Sequence, residues 1–101
     1  MDHFEIIWLT RALEDFKAHI AFVLQVSEQA AQNLREDFLN AANGLNAFPE
    51  RNPLFTIKGL QVMGIRKLIV NKRYIFIYRI ENKTVVIIRV LDARQGLDSL
   101  L

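Results

Sequence analysis

The chain is 101 residues long, has no cysteine and carries a formal net charge of +2, which suits one cytoplasmic domain (1–101) and leaves no disulfide or thiolate metal site. No apolar run approaches the roughly 20 residues of a membrane span, and no basic-then-apolar signal pattern opens the chain. The charge is split: residues 1–50 hold three Lys/Arg against eight Asp/Glu (−5), and residues 51–101 hold ten against three (+7), so a basic half should face an acidic peptide, nucleic acid or acidic protein surface.

Phe4-Glu5-Ile6-Ile7-Trp8-Leu9 is a short run of strand formers. Thr10 follows as a candidate N-cap, with Glu14 and Asp15 near the positive end of the helix dipole. From Ala12 the apolar residues Leu13, Phe16, Ile20, Val23 and Leu24 predict a helix ending near Gln25. Ser27 and Glu28 then open a second helix, whose stripe is Ala30/Ala31, Leu34, Phe38, Ala41/Ala42 and Leu45. So short a joint makes the two an antiparallel hairpin. Asn43 and Gly44 weaken its last turn, and Pro49 closes it. The connector 49–64 holds both prolines, and Phe55, Ile57, Leu60 and Met63 should pack it down.

Three runs rich in Ile, Val, Tyr and Phe fill Ile65 to Arg94, separated by Asn71-Lys72 and Glu81-Asn82-Lys83. That pattern predicts an antiparallel meander. The expected fold is α+β in the order β-α-α-β-β-β, an antiparallel sheet with the helical hairpin on one face. Alternation along the strands puts Arg66, Arg73, Arg79 and Arg89 on the uncovered face, with Arg94 at its edge. They would flank an apolar centre of Leu68, Ile75, Ile77 and Ile87. Arginines on an exposed sheet can simply keep it soluble and unpaired; around an apolar centre they suit recognition of carboxylate or phosphate. The tail after Arg94 reads as a final helical turn or an arm.

No phosphate-binding glycine loop, nucleophile elbow or paired-histidine motif occurs. His3 lies near the terminus and His19 among acidic neighbours on a helix, so neither metal nor cofactor is expected. The carboxylate pairs Glu14-Asp15 and Glu36-Asp37 read as solvated helix surface, since adjacent helical residues do not face one another. A ribonuclease would need a proton-transfer group beside the guanidiniums, and no Tyr or His follows Tyr78.

The Gly64-Ile65-Arg66-Lys67-Leu68 opening, the Arg73-to-Ile80 strand (RYIFIYRI) and the Val86-to-Arg94 ending (VIIRVLDAR) resemble the RelE/ParE superfamily of bacterial toxins. The resemblance spans essentially the whole chain, and its ending is similar to the ParE branch, where a His usually stands in place of Asp92. It implies a type II toxin held by a cognate antitoxin. RelE-like members cut messenger RNA on the ribosome with Lys, Arg and a C-terminal Tyr or His. Carried across, that cluster falls near Arg66, near Leu68 and on Ile75, and its Tyr or His has no counterpart. ParE-like members poison DNA gyrase without an agreed catalytic residue. The expectation is therefore a non-enzymatic gyrase inhibitor, with the antitoxin's apolar residues over Ile75, Ile77 and Ile87 and its carboxylates on Arg79 and Arg89. The alternatives are a ribosome-dependent endoribonuclease using Arg66, Arg79 and Arg94 with Asp92, and a degenerate toxin that only binds antitoxin.

Overall fold

The computed structural model describes residues 3–57 and 60–95; the expected tail after Gln95 and the joint at 58–59 lie outside them. The chain runs through β1 (Glu5–Trp8), α1 (Thr10–Leu24), α2 (Glu28–Asn43), β2 (Leu54–Ile57), β3 (Leu60–Val70), β4 (Tyr74–Glu81) and β5 (Thr84–Asp92). Short 3-10 turns occupy Gly44–Asn46, Pro49–Arg51 and Ala93–Gln95. The five strands form one sheet in the order β1-β5-β4-β3-β2. No described helix is long and apolar enough to cross a membrane.

Two features depart from the expected sheet. β1 pairs parallel to β5, from Glu5↔Thr84 to Trp8↔Ile87, so the sheet is mixed and not antiparallel throughout. Nothing local could encode that direction, because β1 meets its partner only after the helices and the meander. The connector also supplies a fifth strand, β2, antiparallel to β3. It follows Pro53 directly, and an edge strand tolerates a neighbouring proline that a central strand would not. The β2–β3 register slips between Leu54↔Arg66 and Thr56↔Gln61. Gly64 lies within the extra length of β3 at φ +79°, a backbone that a Cβ would strain.

The helices cap differently. Ser27 Oγ accepts from the Ala30 amide at 3.1 Å, so α2 starts where its serine predicts. α1 begins one residue earlier than expected: Thr10 is inside the helix, Leu9 is the cap and no side chain caps the turn. Its inward face is Ala12, Phe16, His19, Ile20 and Val23, while Leu13 and Leu24 are 41% and 51% exposed. On α2, Ala31, Leu34, Phe38 and Ala42 are buried.

Between helices and sheet lies an aromatic core. Phe38 meets Phe76 at 5.4 Å, Phe16 at 5.6 Å and Tyr74 at 4.9 Å, and Trp8 stands edge-on to Phe16 and Phe76. Edge-to-face pairs of this kind add about 0.5–1.5 kcal/mol each beyond their buried area. Val70, Tyr74, Phe76 and Tyr78 join it from the sheet, with Val85, Ile87 and Val90 of β5. The β5 spacing is broken by a bulge: Ile77 pairs with Arg89 but Tyr78 with Ile87, leaving Ile88 as the extra residue. Strict alternation along β5 therefore assigned its faces wrongly. Ile87 is 0% exposed in the helix-side core, not on the open face. At the β3–β4 joint, Asn71 and Lys72 both have positive φ (56° and 58°) and the Arg73 amide donates to Val70 O at 3.2 Å, the type I′ turn that suits the twist of a hairpin.

Candidate functional site

The face of the sheet away from the helices is less open than expected. Phe55, Ile75, Ile77 and Leu91 form a second small core there, flanked by Ile65 and Ile88. Ile75 and Ile77 are only 9% and 4% exposed. What this face shows to solvent lies toward its margins: Ile7 at 45% and Ile69 at 57% exposure. Pairing places Ile7 opposite Val86 and Ile69 opposite Ile75. Leu68 sits opposite Phe76 and packs on the helix-side core, because β3 alternates in phase with β4.

The arginines are distributed by the same registers, and they do not assemble on one face. Arg66 pairs with Tyr78 in the ladder, and its Nη1 donates to Glu50 O at 2.9 Å and Asn52 O at 2.6 Å. Tyr78 completes that clamp: its hydroxyl donates to Pro49 O at 2.5 Å and accepts from Asn52 Nδ2 at 2.9 Å. Burial raises the Tyr78 phenol above its ordinary pKa, against the Asn52 hydrogen bond and the nearby Arg66 and Arg51 charges. Arg89 reaches back to Asp15 of α1 through Nε at 2.7 Å and Nη2 at 3.2 Å. Only Arg79 stays with the open face, opposite Ile65, where its Nε lies 2.6 Å from Glu81. Lys67, opposite Ile77 and with its Nζ 5.7 Å from the Phe55 ring centre, joins it there. Its parity with Ile65 and Ile69 is the signal that finds it.

The remaining arginines converge at one end of the molecule. Asp92, 5% exposed, accepts from Arg73 Nε and Nη2 at 3.3 and 3.2 Å. It also accepts from the Arg94 amide, Nε and Nη2 at 2.9, 3.3 and 3.1 Å. Arg73 lies over the Tyr74 ring at 4.9 Å. Burial raises the Tyr74 phenol, the Arg73 charge opposing and Asp92 adding to the shift. These groups border a cleft of about 540 Å³ whose other wall is α1, with Asp15, His19 and Phe22. His19 is half-buried, not solvated: its Nε2 donates to Val90 O at 2.8 Å and its ring lies 5.1 Å from Tyr74. Seven residues after Ala12, it belongs to the apolar stripe, a placement that attention to its acidic neighbours obscures. Asp15 too turns inward, since Val90 N donates to it at 3.0 Å.

Asp92 accepts five hydrogen bonds, all from Arg73 and Arg94. Among the described residues no three His, Asp or Glu gather to hold a metal ion.

A helical hairpin laid on a sheet whose first and last strands run parallel is the architecture of solved type II toxins. The chromosomal ParDE system of P. aeruginosa superposes with a TM-score of 0.70 at 17% identity, covering 89% of this chain and 96% of that one. The RelBE2 toxin–antitoxin complex of Mycobacterium tuberculosis gives 0.60 at 21% identity over 91% and 93%. The family model of the ParE toxin of type II toxin–antitoxin systems, parDE, matches residues 6–97. Toxin RelE2 of Caulobacter vibrioides is 32% identical over 89 residues, 88% of this chain and 94% of that protein. The chain belongs to the ParE toxin family, within the RelE/ParE superfamily.

Proposed function

We propose that this toxin acts in the cytoplasm as a binding inhibitor of DNA gyrase and is neutralised by a cognate antitoxin laid across the open face of its sheet. The observation that carries the inhibitor reading is the state of the arginines. Arg66, Arg73, Arg89 and Arg94 are each engaged by backbone carbonyls or carboxylates of the chain itself. These contacts commit them to holding the fold together, as suits a protein that works by binding, and gyrase is the target associated with the ParE branch that this chain resembles.

For the antitoxin, the open face offers a buried apolar floor (Ile75, Ile77) with Ile69 and Ile7 exposed at its margins and the cations Lys67 and Arg79 beside it. An extended segment with alternating apolar and acidic residues fits that surface. Its apolar groups would cover Ile69 and its carboxylates would approach Arg79, where the competing Glu81 is 56% exposed and easily displaced. Arg89 has no part in this contact, being committed to Asp15.

The test is supercoiling by purified gyrase with rising toxin, with and without the protein encoded by the neighbouring reading frame. Inhibition relieved by that protein is the expected result. Unchanged supercoiling at saturating toxin would exclude the gyrase target, and codon-linked transcript cleavage on induction would establish the ribosomal nuclease instead. Tight antitoxin binding with neither activity would mark a degenerate toxin.

A further inference from the structure

The cleft between α1 and the end of β5 lies apart from the open face, and its chemistry is unlike that of the open face. Arg73 and Arg94 each spend Nε and Nη2 on Asp92. Arg73 shares a further hydrogen bond with the Tyr74 side chain, and the Nη1 of Arg94 makes none among the described residues. One buried carboxylate thus holds two guanidiniums together while leaving a donor edge on each, and their side chains remain 30% and 61% exposed. Asp15 at the cleft wall is engaged from behind by Arg89, so its charge is met outside the cleft and does not compete for the two cleft arginines. Such an edge suits the tetrahedral oxygens of a phosphate, which accept from several N–H groups at once.

Across from the arginines, Phe22 presents its ring from α1 and is 61% exposed. An aromatic face left in water beside paired cations is a stacking platform for a planar ring. The cleft volume, about 540 Å³, lies within the range typical of small-molecule sites and suits one nucleotide better than a strand.

We propose that this cleft binds a free mononucleotide, with its phosphate on the outer edges of Arg73 and Arg94 and its base on Phe22. Asp92 is the positioning residue that keeps the two guanidiniums side by side.

The experiment is an amide-shift titration of the full chain with adenosine 5′-monophosphate, inorganic phosphate, adenosine and a 5′-phosphorylated trinucleotide. The monophosphate should saturate, shift resonances around His19, Phe22 and Arg94, and bind about tenfold more tightly than phosphate or adenosine alone. Phe22→Ala should remove that tenfold and leave phosphate binding as it was, whereas Arg94→Gln should weaken monophosphate and phosphate alike. Phe22 is a surface residue, so the first variant reports even if the second fails to fold. The proposal falls if the monophosphate does not saturate, if Phe22→Ala binds it like the parent, or if the trinucleotide binds more tightly and so reveals a strand site.

Discussion

Asp15 and Arg89 meet across 74 residues of chain, with Asp15 Oδ2 2.7 Å from Arg89 Nε, and so fasten the first helix to the last strand just past the end of β1. The same carboxylate takes the Val90 amide at 3.0 Å, and both side chains are largely withdrawn from water, at 12% and 19% exposure. Asp15→Ala leaves a guanidinium and an amide without their acceptor, and should cost about 3–5 kcal/mol of folding stability. Asp15→Asn retains one acceptor oxygen and should cost less. Urea denaturation of the two variants checks both the size and the order.

The only two tyrosines of the chain are buried, and burial raises both phenols above 10.0. The folded state therefore holds these protons more tightly than the unfolded chain does. Their stability contribution is fully present below pH 10 and is lost as pH rises through the higher folded values. Tyrosinate absorbance should appear together with the loss of helical circular dichroism, above about pH 10. Tyrosinate forming while the helix signal stays intact would contradict the burial. Tyr78→Phe, which deprives Pro49 O of its donor, should cost about 1–3 kcal/mol at neutral pH.

Lys72 carries φ +58° without being glycine. Lys72→Gly should raise stability by up to about 1 kcal/mol, read as a higher thermal midpoint. Asn71→Gly should gain less, because Asn71 Nδ2 also donates to Asp37 of α2 at 2.8 Å.

Ile77 and Arg79 should separate folding from partner binding. Ile77→Ala opens a void in the second core and should cost about 2–5 kcal/mol. Arg79→Glu alters a pair that is 38% and 56% exposed, so folding should change by about 1 kcal/mol at most. Association with the antitoxin should nevertheless slow, as expected for a charge at the rim of an interface. Stopped-flow mixing at two salt concentrations measures that effect. An unchanged association rate for Arg79→Glu would place the antitoxin elsewhere, most simply along the helical hairpin.

These results also show which parts of the molecule were legible in its residues. The hairpin joints, the Ser27 cap, the α2 stripe and the alternation of β4 all rest on local chemistry, and each is read from a few neighbouring residues. The bulge at Ile88 is not: a hydrophobic run of Val, Val, Ile and Ile looks the same with or without an extra residue. That single insertion moves Ile87 from the open face into the core. The position of the arginines failed for a related reason. Their guanidiniums sit at the end of long stems and go to whichever carboxylate or carbonyl tertiary folding brings near, as Arg66 does with Glu50 and Asn52. Asp92 was visible as a departure from the ParE pattern and Arg94 is its near neighbour in sequence, but Arg73 comes from the β3–β4 turn and is brought to it only by the β4–β5 register.

The parallel pairing of β1 with β5 has a consequence for the order of events at the ribosome. Glu5 pairs with Thr84, a separation of 84 − 5 = 79 residues, and α1 is tied to β5 through Asp15. Synthesis at about 5–20 residues per second puts roughly 4–16 s between the emergence of the two partners. During that interval the helical hairpin has only a partial sheet to pack on. Completion of the fold waits on β5, so a message terminated before it yields a chain whose first strand lacks its neighbour. Such a chain cannot complete the sheet, and products truncated before β5 should be harmless to the cell that makes them.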